Sequence, residues 1–407
     1  MFGGGNSDGF FIRNKSVFVM GLIALLIAAV ADLIAGMFLT TMEEYILLIP
    51  GMMIMIYSAI GMRGNIFGAM GSRLGTSMHM GTFKMSFKKG TVLRSNIEAS
   101  MVLTLSLSAI MGIIGWIIVE LFFTSTIEPL SFIFISLVGG ILAGIIVIIF
   151  NIIIAREGYK RDWDVDNITA PLIAAAGDIA TVPMIFVATW MVLNIDRIYI
   201  DIACVILLVL TVAATAKVLM RKARRRRRID EAKRIVKQSI PVLTVCIFFE
   251  IAAGIIVENG TNAVMKYSVL LVLLPAFLNE GNALSGMLTS RLGSMLHIGT
   301  MESRKYPNGP AYENFFIIYI LATVTFIFIG TAAYVLQPGT LDYVTVIAIV
   351  LISGLLATTV INFLSYYVAV SAVKFDLDPD DHCIPITSSI MDMVGTAIIV
   401  TVISLMI

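Results

Sequence analysis

Four polar residues lie in otherwise apolar stretches, and each has a twin later in the chain. Asn65 and Asn282 each follow a glycine, and Asp178 and Asp392 each lie seven residues after a proline. A carboxylate inside a bilayer is costly by about 2.5 kcal/mol or more, so such a residue indicates an ion or proton pathway. Two amides and two carboxylates together offer the oxygen ligands that suit a hard divalent cation, and magnesium keeps several of its waters when bound.

The elements that position these residues are predicted to be membrane helices. Hydrophobic residues make up 58% of the 407 residues, charged residues only 14%, and the mean hydropathy is +0.96. These values exceed what one soluble core can bury, and a membrane helix needs about 20 apolar residues. The sequence therefore predicts an all-α integral membrane protein with eleven transmembrane helices. The eleven apolar runs lie at about 16–40, 44–72, 98–123, 130–156, 170–193, 198–220, 240–257, 267–290, 311–335, 341–372 and 384–406.

An internal repeat organises these helices. The segment SRLGTSMHMGT at 72–82 returns as SRLGSMLHIGT at 290–300, and residues 162–178 correspond to residues 376–392 without a gap. We predict a first five-helix unit over 1–194, a linking helix with a basic segment over 195–239, and a second unit over 240–407. The extra crossing gives both units the same orientation, as in transporters with parallel repeats. A pathway at the seam would present each polar group twice.

The four polar residues are predicted to lie at a similar depth. At 1.5 Å per residue, Asp178 and Asp392 lie roughly 10 Å beyond prolines that begin their helices. Asn65 and Asn282 precede the exits at Arg73 and Arg291 by roughly 12–13 Å. The sequence thus predicts a compact site of two Asn and two Asp.

Basic residues predict the topology. They cluster in alternate loops, which places the N-terminus in the cytoplasm and the C-terminus outside a multi-pass protein of the cell membrane. The run RKARRRRR at 221–228 is interpreted as a topology signal beside anionic lipid, and no nucleic-acid partner is expected.

Together these features resemble the MgtE-type magnesium transporters and their solute carrier family 41 relatives. The resemblance rests on Gly-Asn ahead of Ser-Arg-Leu, on the acidic loops DVDN and DPDD, and on the Pro-to-Asp spacing, each occurring twice in the same order. It implies a cation pore between the units, with Asp178 and Asp392 matching the family's pore aspartate and Mg²⁺ as the transported ion. Bacterial members carry cytoplasmic CBS sensor domains before the membrane part, whereas only about fifteen residues precede the first helix here, so regulation by that route is not expected. Bacterial members also usually have a Gln where this chain has Ala69 and Gly286, so the wall of the site is expected to differ. They form homodimers, whereas this chain resembles an internal pseudo-dimer that functions as a monomer.

Other acidic residues are candidates for secondary ion sites. Asp32 and Glu250 occupy equivalent repeat positions and either line an outer vestibule or make a buried structural hydrogen bond. Arg63 and Glu280 are equivalent positions of opposite charge, which suggests a salt bridge across the pseudo-axis. Four loop acids at the cytoplasmic mouth either bind a regulatory divalent ion or cap helices in a solvated loop. These are Asp164, Asp166, Asp378 and Asp380.

Other functional classes have weaker support in the sequence than transport through a pore. His79 and His297, and the three cysteines, lack metal-binding spacing and are interpreted as packing or interfacial residues. The segment AAAGD at 174–178 faintly resembles the Gly-Asp of intramembrane aspartyl proteases, but Met391 precedes the second aspartate. The chain is therefore not expected to be an enzyme or to need an organic cofactor. A sodium- or proton-coupled magnesium exchanger stays open, as do the direction of transport and the choice among Mg, Mn, Co, Ni and Zn.

Overall fold

The computed structural model describes residues 15–123, 127–161, 165–221, 230–375 and 384–407, and in these ranges the chain forms helices without strands. The prediction of an all-α membrane protein is confirmed. The twelve helices are α1 (Lys15–Thr41), α2 (Glu43–Leu48), α3 (Met52–His79), α4 (Val92–Phe122), α5 (Pro129–Arg161), α6 (Val165–Asn194), α7 (Arg197–Leu219), α8 (Glu231–Met265), α9 (Ser268–Ile298), α10 (Gly309–Leu336), α11 (Tyr343–Phe375) and α12 (Ile384–Met406).

Eleven of these helices have 23 or more residues, in agreement with the number predicted. Ten of them are long and apolar enough to cross a membrane. The eleventh, α3, is the helix that carries Arg63, Asn65 and Arg73, and these polar residues lower its hydropathy.

The prediction of one continuous helix over 44–72 is wrong. The chain forms the six-residue helix α2, turns, and begins α3 at Met52. Pro50 disfavours a helical conformation in the residue before it, and Gly51 has φ of 85°, in the left-handed region that favours glycine. The Pro-Gly pair therefore ends one helix and allows the next to begin in a new direction.

The two units interlock through their first helices. Helix α1 packs against α6, the last long helix of its own unit, and against α9 of the other unit; α8 likewise packs against α12 and α3. Glycines at equivalent repeat positions allow the two crossings between units. A Cβ atom on Gly36 would overlap the carbonyl oxygen of Val272, and one on Gly254 would lie 3.0 Å from the carbonyl oxygen of Ile54. Both crossings therefore bring backbone against backbone.

A hydrogen-bonded pair recurs at the ends of α3 and α9. Arg73 Nε donates to Asn96 Oδ1 at 2.7 Å, and Arg291 Nε donates to Asn314 Oδ1 at 2.9 Å. The first pair joins α3 to α4, the second joins α9 to α10, and each pair spans 23 positions in sequence. We call the end of the bundle that contains Arg73 and Arg291 the basic end.

The linking helix α7 packs loosely. Only 17% of its apolar 18-residue stretch is buried inside the bundle, whereas 83% of the corresponding stretch of α9 is buried. At its end Arg221 forms an ion pair with Glu98 of α4, with Nη1 and Oε2 2.9 Å apart, and its Nη1 lies 3.7 Å from Asp230 Oδ2. Asp230 precedes α8, so these contacts tie the link to both units.

Candidate metal site between the two repeats

Four carboxyl groups form two pairs inside the bundle. Asp32 of α1 and Asp178 of α6 lie within hydrogen-bonding reach of each other, and so do Glu250 of α8 and Asp392 of α12. Asp178 also lies within electrostatic range of Asp392, and all four side chains are 6% exposed or less. The first and last long helices of each unit thus supply one pair, and the pairs face each other across the seam.

The two predicted asparagines contact the second pair. Asn282 Nδ2 donates to Asp392 Oδ1 at 2.8 Å. Asn65 Nδ2 lies 3.2 Å from Glu250 Oε1 and 2.9 Å from Ser389 Oγ, and Ser389 in turn donates to Glu250 Oε1 at 2.7 Å. Asn65 therefore reaches an acid of the other unit, whereas Asn282 contacts an acid of its own unit.

Two further polar residues complete this cluster. Asn279 Nδ2 donates to Asp32 Oδ2 at 2.7 Å across the seam. Asn279 and Ser389 occupy the repeat positions of Met62 and Ala175, so comparing the two halves of the sequence did not reveal either of them. The sequence held one signal for Asn279: it is a polar residue one helical turn before Asn282, a predicted site residue on the same helix.

The placement of Asp32 and Glu250 favours a role in the same site as Asp178 and Asp392. From the sequence, two interpretations were possible for these residues: they line an outer vestibule, or they make a buried structural hydrogen bond. In the structure each of them lies against an aspartate of the predicted site, so the acidic cluster contains four carboxyl groups instead of two.

Several oxygens of the cluster have no hydrogen-bond partner although they are buried. These oxygens are Asp32 Oδ1, Asp178 Oδ2, Asn282 Oδ1 and Asp392 Oδ2. All four are acceptors, and the side chains that donate hydrogen bonds to the four carboxyls in the described part of the chain are neutral: Asn65, Asn279, Asn282 and Ser389. A buried acceptor without a donor costs free energy, so the arrangement suits protons or cations.

The cluster does not form a tight chelating cage. Among the described residues no group of three or more His, Cys, Asp or Glu side chains is close enough to hold a bare metal ion. Cys246 lies one helical turn before Glu250 on α8, and its thiol lies beside Ser389. The thiol donates to the carbonyl oxygen of Pro385, with Sγ and O 3.5 Å apart.

The two sides of the cluster differ in packing. Next to the two asparagines, Gly64 and Gly68 of α3 and Gly281 and Gly286 of α9 have open space where a Cβ would lie. On the other side, the crossings at Gly36 and Gly254 bring the helices into backbone contact. Open space therefore adjoins these glycines of α3 and α9, whereas the helices are in backbone contact at the two crossings.

The predicted pair between Arg63 and Glu280 is not formed. Arg63 is fully buried and its Nη2 donates to Ser108 Oγ at 3.3 Å, within the first unit. Both carboxylate oxygens of Glu280 are buried without a hydrogen-bond partner, and Thr325 of the second unit lies beside them. Each side chain points into the interior of its own unit, so the two charges lie apart.

The predicted mouth acids fall largely outside the structure. Asp164, Asp378 and Asp380 lie outside the described residues, and Asp166 is the second residue of α6. The regulatory role suggested for them stays a prediction.

Comparison with known proteins agrees with the resemblance in the sequence. The profile of the family MgtE, described as a divalent cation transporter, matches residues 56–188 and 274–402, together more than half of the chain. Solute carrier family 41 member 3 of Rattus norvegicus is 20% identical over 93% of this chain and 84% of its own length. Member 3 of Mus musculus is 21% identical over 93% and 80%, and member 2 of Mus musculus is 22% identical over 93% and 68%.

One solved structure, the crystal structure of the eukaryotic MATE transporter AtDTX14, matches with a TM-score of 0.30 and 12% identity over 98% of this chain and 96% of that one. This TM-score is too low to indicate a shared fold. The profile match and the relatives give the same assignment: the chain belongs to the MgtE family of divalent cation transporters.

Proposed function

We propose that this protein carries a divalent cation, magnesium first, through the seam between its two five-helix units. In this proposal Asp178 and Asp392 hold the hydrated ion by charge, and Asn65 and Asn282 form the polar wall. The observation that carries the proposal is the set of four buried carboxyl groups without a basic partner among the described residues.

Electrostatics supports a cation at this place. Four carboxylates cannot all stay ionised at close range in a medium of low dielectric constant, because neither water nor a countercharge offsets their repulsion. Lys or Arg is the usual internal countercharge, but the described side chains that donate to these acids are neutral. A mobile cation or bound protons must therefore neutralise the acids.

The chemistry of the donors supports a hydrated hard ion. Carboxylate and amide oxygens surround the seam, and the unpartnered atoms are divided between the two pairs. Magnesium loses its waters reluctantly, and an ion bound through its waters is held weakly enough to leave again. Asp32 and Glu250 then act as further acids of the same site.

The orientation follows from the basic residues and is part of the proposal. Short loops rich in Lys and Arg face the cytoplasm, which places the basic end inside the cell and the C-terminus outside. In this orientation the ion meets the glycines of α3 and α9 near Asn65 and Asn282, and the crossings at Gly36 and Gly254 lie on the outward side of the acids. One chain carries both units and both pairs, which supports function as a monomer.

The proposal is tested by Mg²⁺ uptake into liposomes that contain the purified protein and an enclosed Mg²⁺ indicator dye. We expect uptake by the wild type and a loss of at least tenfold in Asp178→Asn and in Asp392→Asn, with both variants folded. Asp342→Asn is the matched control, because Asp342 is exposed in the loop before α11 and caps Thr345. Wild-type uptake by both site variants would refute the site, and absence of uptake in the wild type would refute magnesium as cargo.

A coupled exchanger is the second candidate, and the two carboxyl pairs favour it. Two carboxyl groups within hydrogen-bonding reach share a proton readily, so an arriving cation would displace protons. Uptake that depends on an imposed pH or sodium gradient would support an exchanger, and uptake indifferent to both gradients would support a channel. An aspartyl hydrolase is the remote alternative, and protease assays on unfolded membrane substrates would detect it.

A further inference from the structure

Asn279 is buried at the seam and contacts an acid of the other unit. We propose that Asn279 is a positioning residue of the ion site, which holds the Asp32 carboxylate so that Asp32 and Asp178 together offer oxygens to the cation. This inference rests on the proposed function of the four acids.

The contact is specific in its geometry. Asn279 Nδ2 donates to Asp32 Oδ2 at 2.7 Å, although 247 positions separate the residues, and Asn279 is 7% exposed. One oxygen of Asp32 is thereby fixed, while Asp32 Oδ1 and the neighbouring Asp178 Oδ2 stay without a partner. The hydrogen bond thus orients the carboxylate and leaves its other oxygen available.

The repeat shows that this donor is not a simple product of duplication. The residue equivalent to Asn279 in the first unit is Met62, so that position supplies no donor. Glu250, the counterpart of Asp32, receives its hydrogen bonds from Asn65 and Ser389 instead. Asp32 and Glu250 therefore each accept a hydrogen bond from an Asn side chain of the other unit, Asn279 and Asn65. These two Asn residues do not occupy equivalent repeat positions.

A neutral donor has a property that suits this site. A Lys or Arg at position 279 would hold Asp32 equally well but would cancel its charge and compete with the cargo. An amide favours the ionised carboxylate through a hydrogen bond and keeps the negative charge for a cation. Asn279 is therefore expected to set the affinity of the site for its ion.

Asn279 also lies close to the crossing between α1 and α9. Val272, whose backbone meets Gly36, precedes Asn279 by seven residues on the same helix. That spacing places both contacts on one face of α9, about two turns apart. The hydrogen bond therefore fixes the position of Asp32 along α9, about two turns from the crossing at Gly36 and Val272.

The test is a comparison of Mg²⁺ uptake kinetics in liposomes, together with calorimetric Mg²⁺ titration of the purified full-length protein. Asn279→Met introduces the residue of the equivalent position, and Asn279→Leu is a second apolar replacement of similar volume. Asn279→Gln keeps the donor. Asn151→Met is the matched control, because Asn151 is a buried amide on α5, near Gly71 and Ile173, that makes no hydrogen bond to any of the four acids.

We expect the KM and the Kd for Mg²⁺ to rise at least about tenfold in Asn279→Met and Asn279→Leu, the effect of losing one hydrogen bond to a charged group. The maximal rate should change less than the KM, Asn279→Gln should recover part of the affinity, and Asn151→Met should match the wild type. A folded apolar variant with wild-type KM and Kd would overturn the inference while leaving the proposed function standing. A wild type without divalent uptake would overturn the proposed function and this inference with it.

Discussion

A Cβ atom on Gly254 would lie 2.6 Å from the α-carbon of Ile54, so α8 and α3 meet through their backbones. Gly36 makes the equivalent crossing between α1 and α9, where a Cβ would overlap the backbone of Val272. No side chain lies between the helices at these points, and no side-chain rotation can open a gap there. If ions follow the proposed pathway past these two crossings, the helices themselves must separate there.

Substitution of the crossing glycines should destabilise the protein. In Gly36→Ala or Gly254→Ala the new methyl group meets backbone atoms, and we expect a loss of about 1–3 kcal/mol, typical of overpacking. Gly293→Ala on α9 is the control, because its Cβ would meet nothing within 4 Å. Thermal unfolding in detergent measures the difference. Equal unfolding temperatures for Gly36→Ala and Gly293→Ala would contradict the close crossing.

Ser389 should matter for ion affinity more than its size suggests. Ser389→Ala restores the residue of the equivalent position, Ala175, and removes a 2.7 Å hydrogen bond to Glu250. We expect a folded protein whose KM for Mg²⁺ rises about tenfold, because hydrogen bonds to charged groups contribute about 1.5–3 kcal/mol. Ser404→Ala on the same helix removes only a bond to the carbonyl of Val400 and serves as control. An unchanged KM in Ser389→Ala would argue against a role for this hydroxyl.

The pair formed by Arg291 and Asn314 should couple α9 to α10. Asn314→Leu leaves the guanidinium without this acceptor, and we expect a loss of about 1–3 kcal/mol in the free energy of unfolding. Arg291→Met combined with Asn314→Leu should lose less than the sum of the single variants, with a coupling of about 0.5–3 kcal/mol. Chemical denaturation of the four proteins measures this cycle, and additive losses would show that the pair contributes little.

Cys246 should make the transporter sensitive to soft metals. Its thiol lies beside Ser389 and within electrostatic range of Glu250 and Asp392, and thiolates bind cadmium and zinc more tightly than magnesium. We expect Cd²⁺ to inhibit Mg²⁺ uptake, and Cys246→Ala, which restores the equivalent residue Ala28, to weaken that inhibition several-fold. Cys204→Ala on the linking helix is the control. Equal inhibition of the wild type and Cys246→Ala would exclude the thiol as the cause.

Removal of divalent ions should not unfold the chain. The described acids do not form a closed metal cage, so folding does not depend on a bound ion as it does at structural zinc sites. We expect the thermal unfolding temperature in the presence of a chelator to stay within a few degrees of its value at low magnesium. A cooperative loss of helix upon chelation, followed by circular dichroism, would reveal a structural metal.

The sequence predicted the helices and four of the site residues because both depend on local signals. Long apolar runs predict membrane helices, and the break at Pro50 and Gly51 was also readable as a Pro-Gly turn signal. Asp178 and Asp392 were found because each is a charge in an apolar run and occurs twice. The repeat thus singled out these two residues without any knowledge of helix packing, and their role in ion binding stays a prediction.

The remaining features depend on helix tilt and rotation, which the sequence does not give. Distance along a helix gives an approximate depth, so Asp32 could not be assigned to the cluster or to a vestibule. The Arg63–Glu280 prediction failed because equivalent positions in two halves need not face each other, and each of these side chains points into its own unit. Asn279 was missed because its counterpart Met62 is apolar.

The loosely packed helix α7 has a consequence for how the two halves could change over time. In a homodimer both subunits come from one gene, so every substitution appears on both sides of the axis. A covalent link instead guarantees that each molecule contains one copy of each half. Differences such as Asn279 opposite Met62, or Glu280 opposite Arg63, can then accumulate separately. The linker therefore allows the two halves of one molecule to differ at equivalent positions, as these residues do.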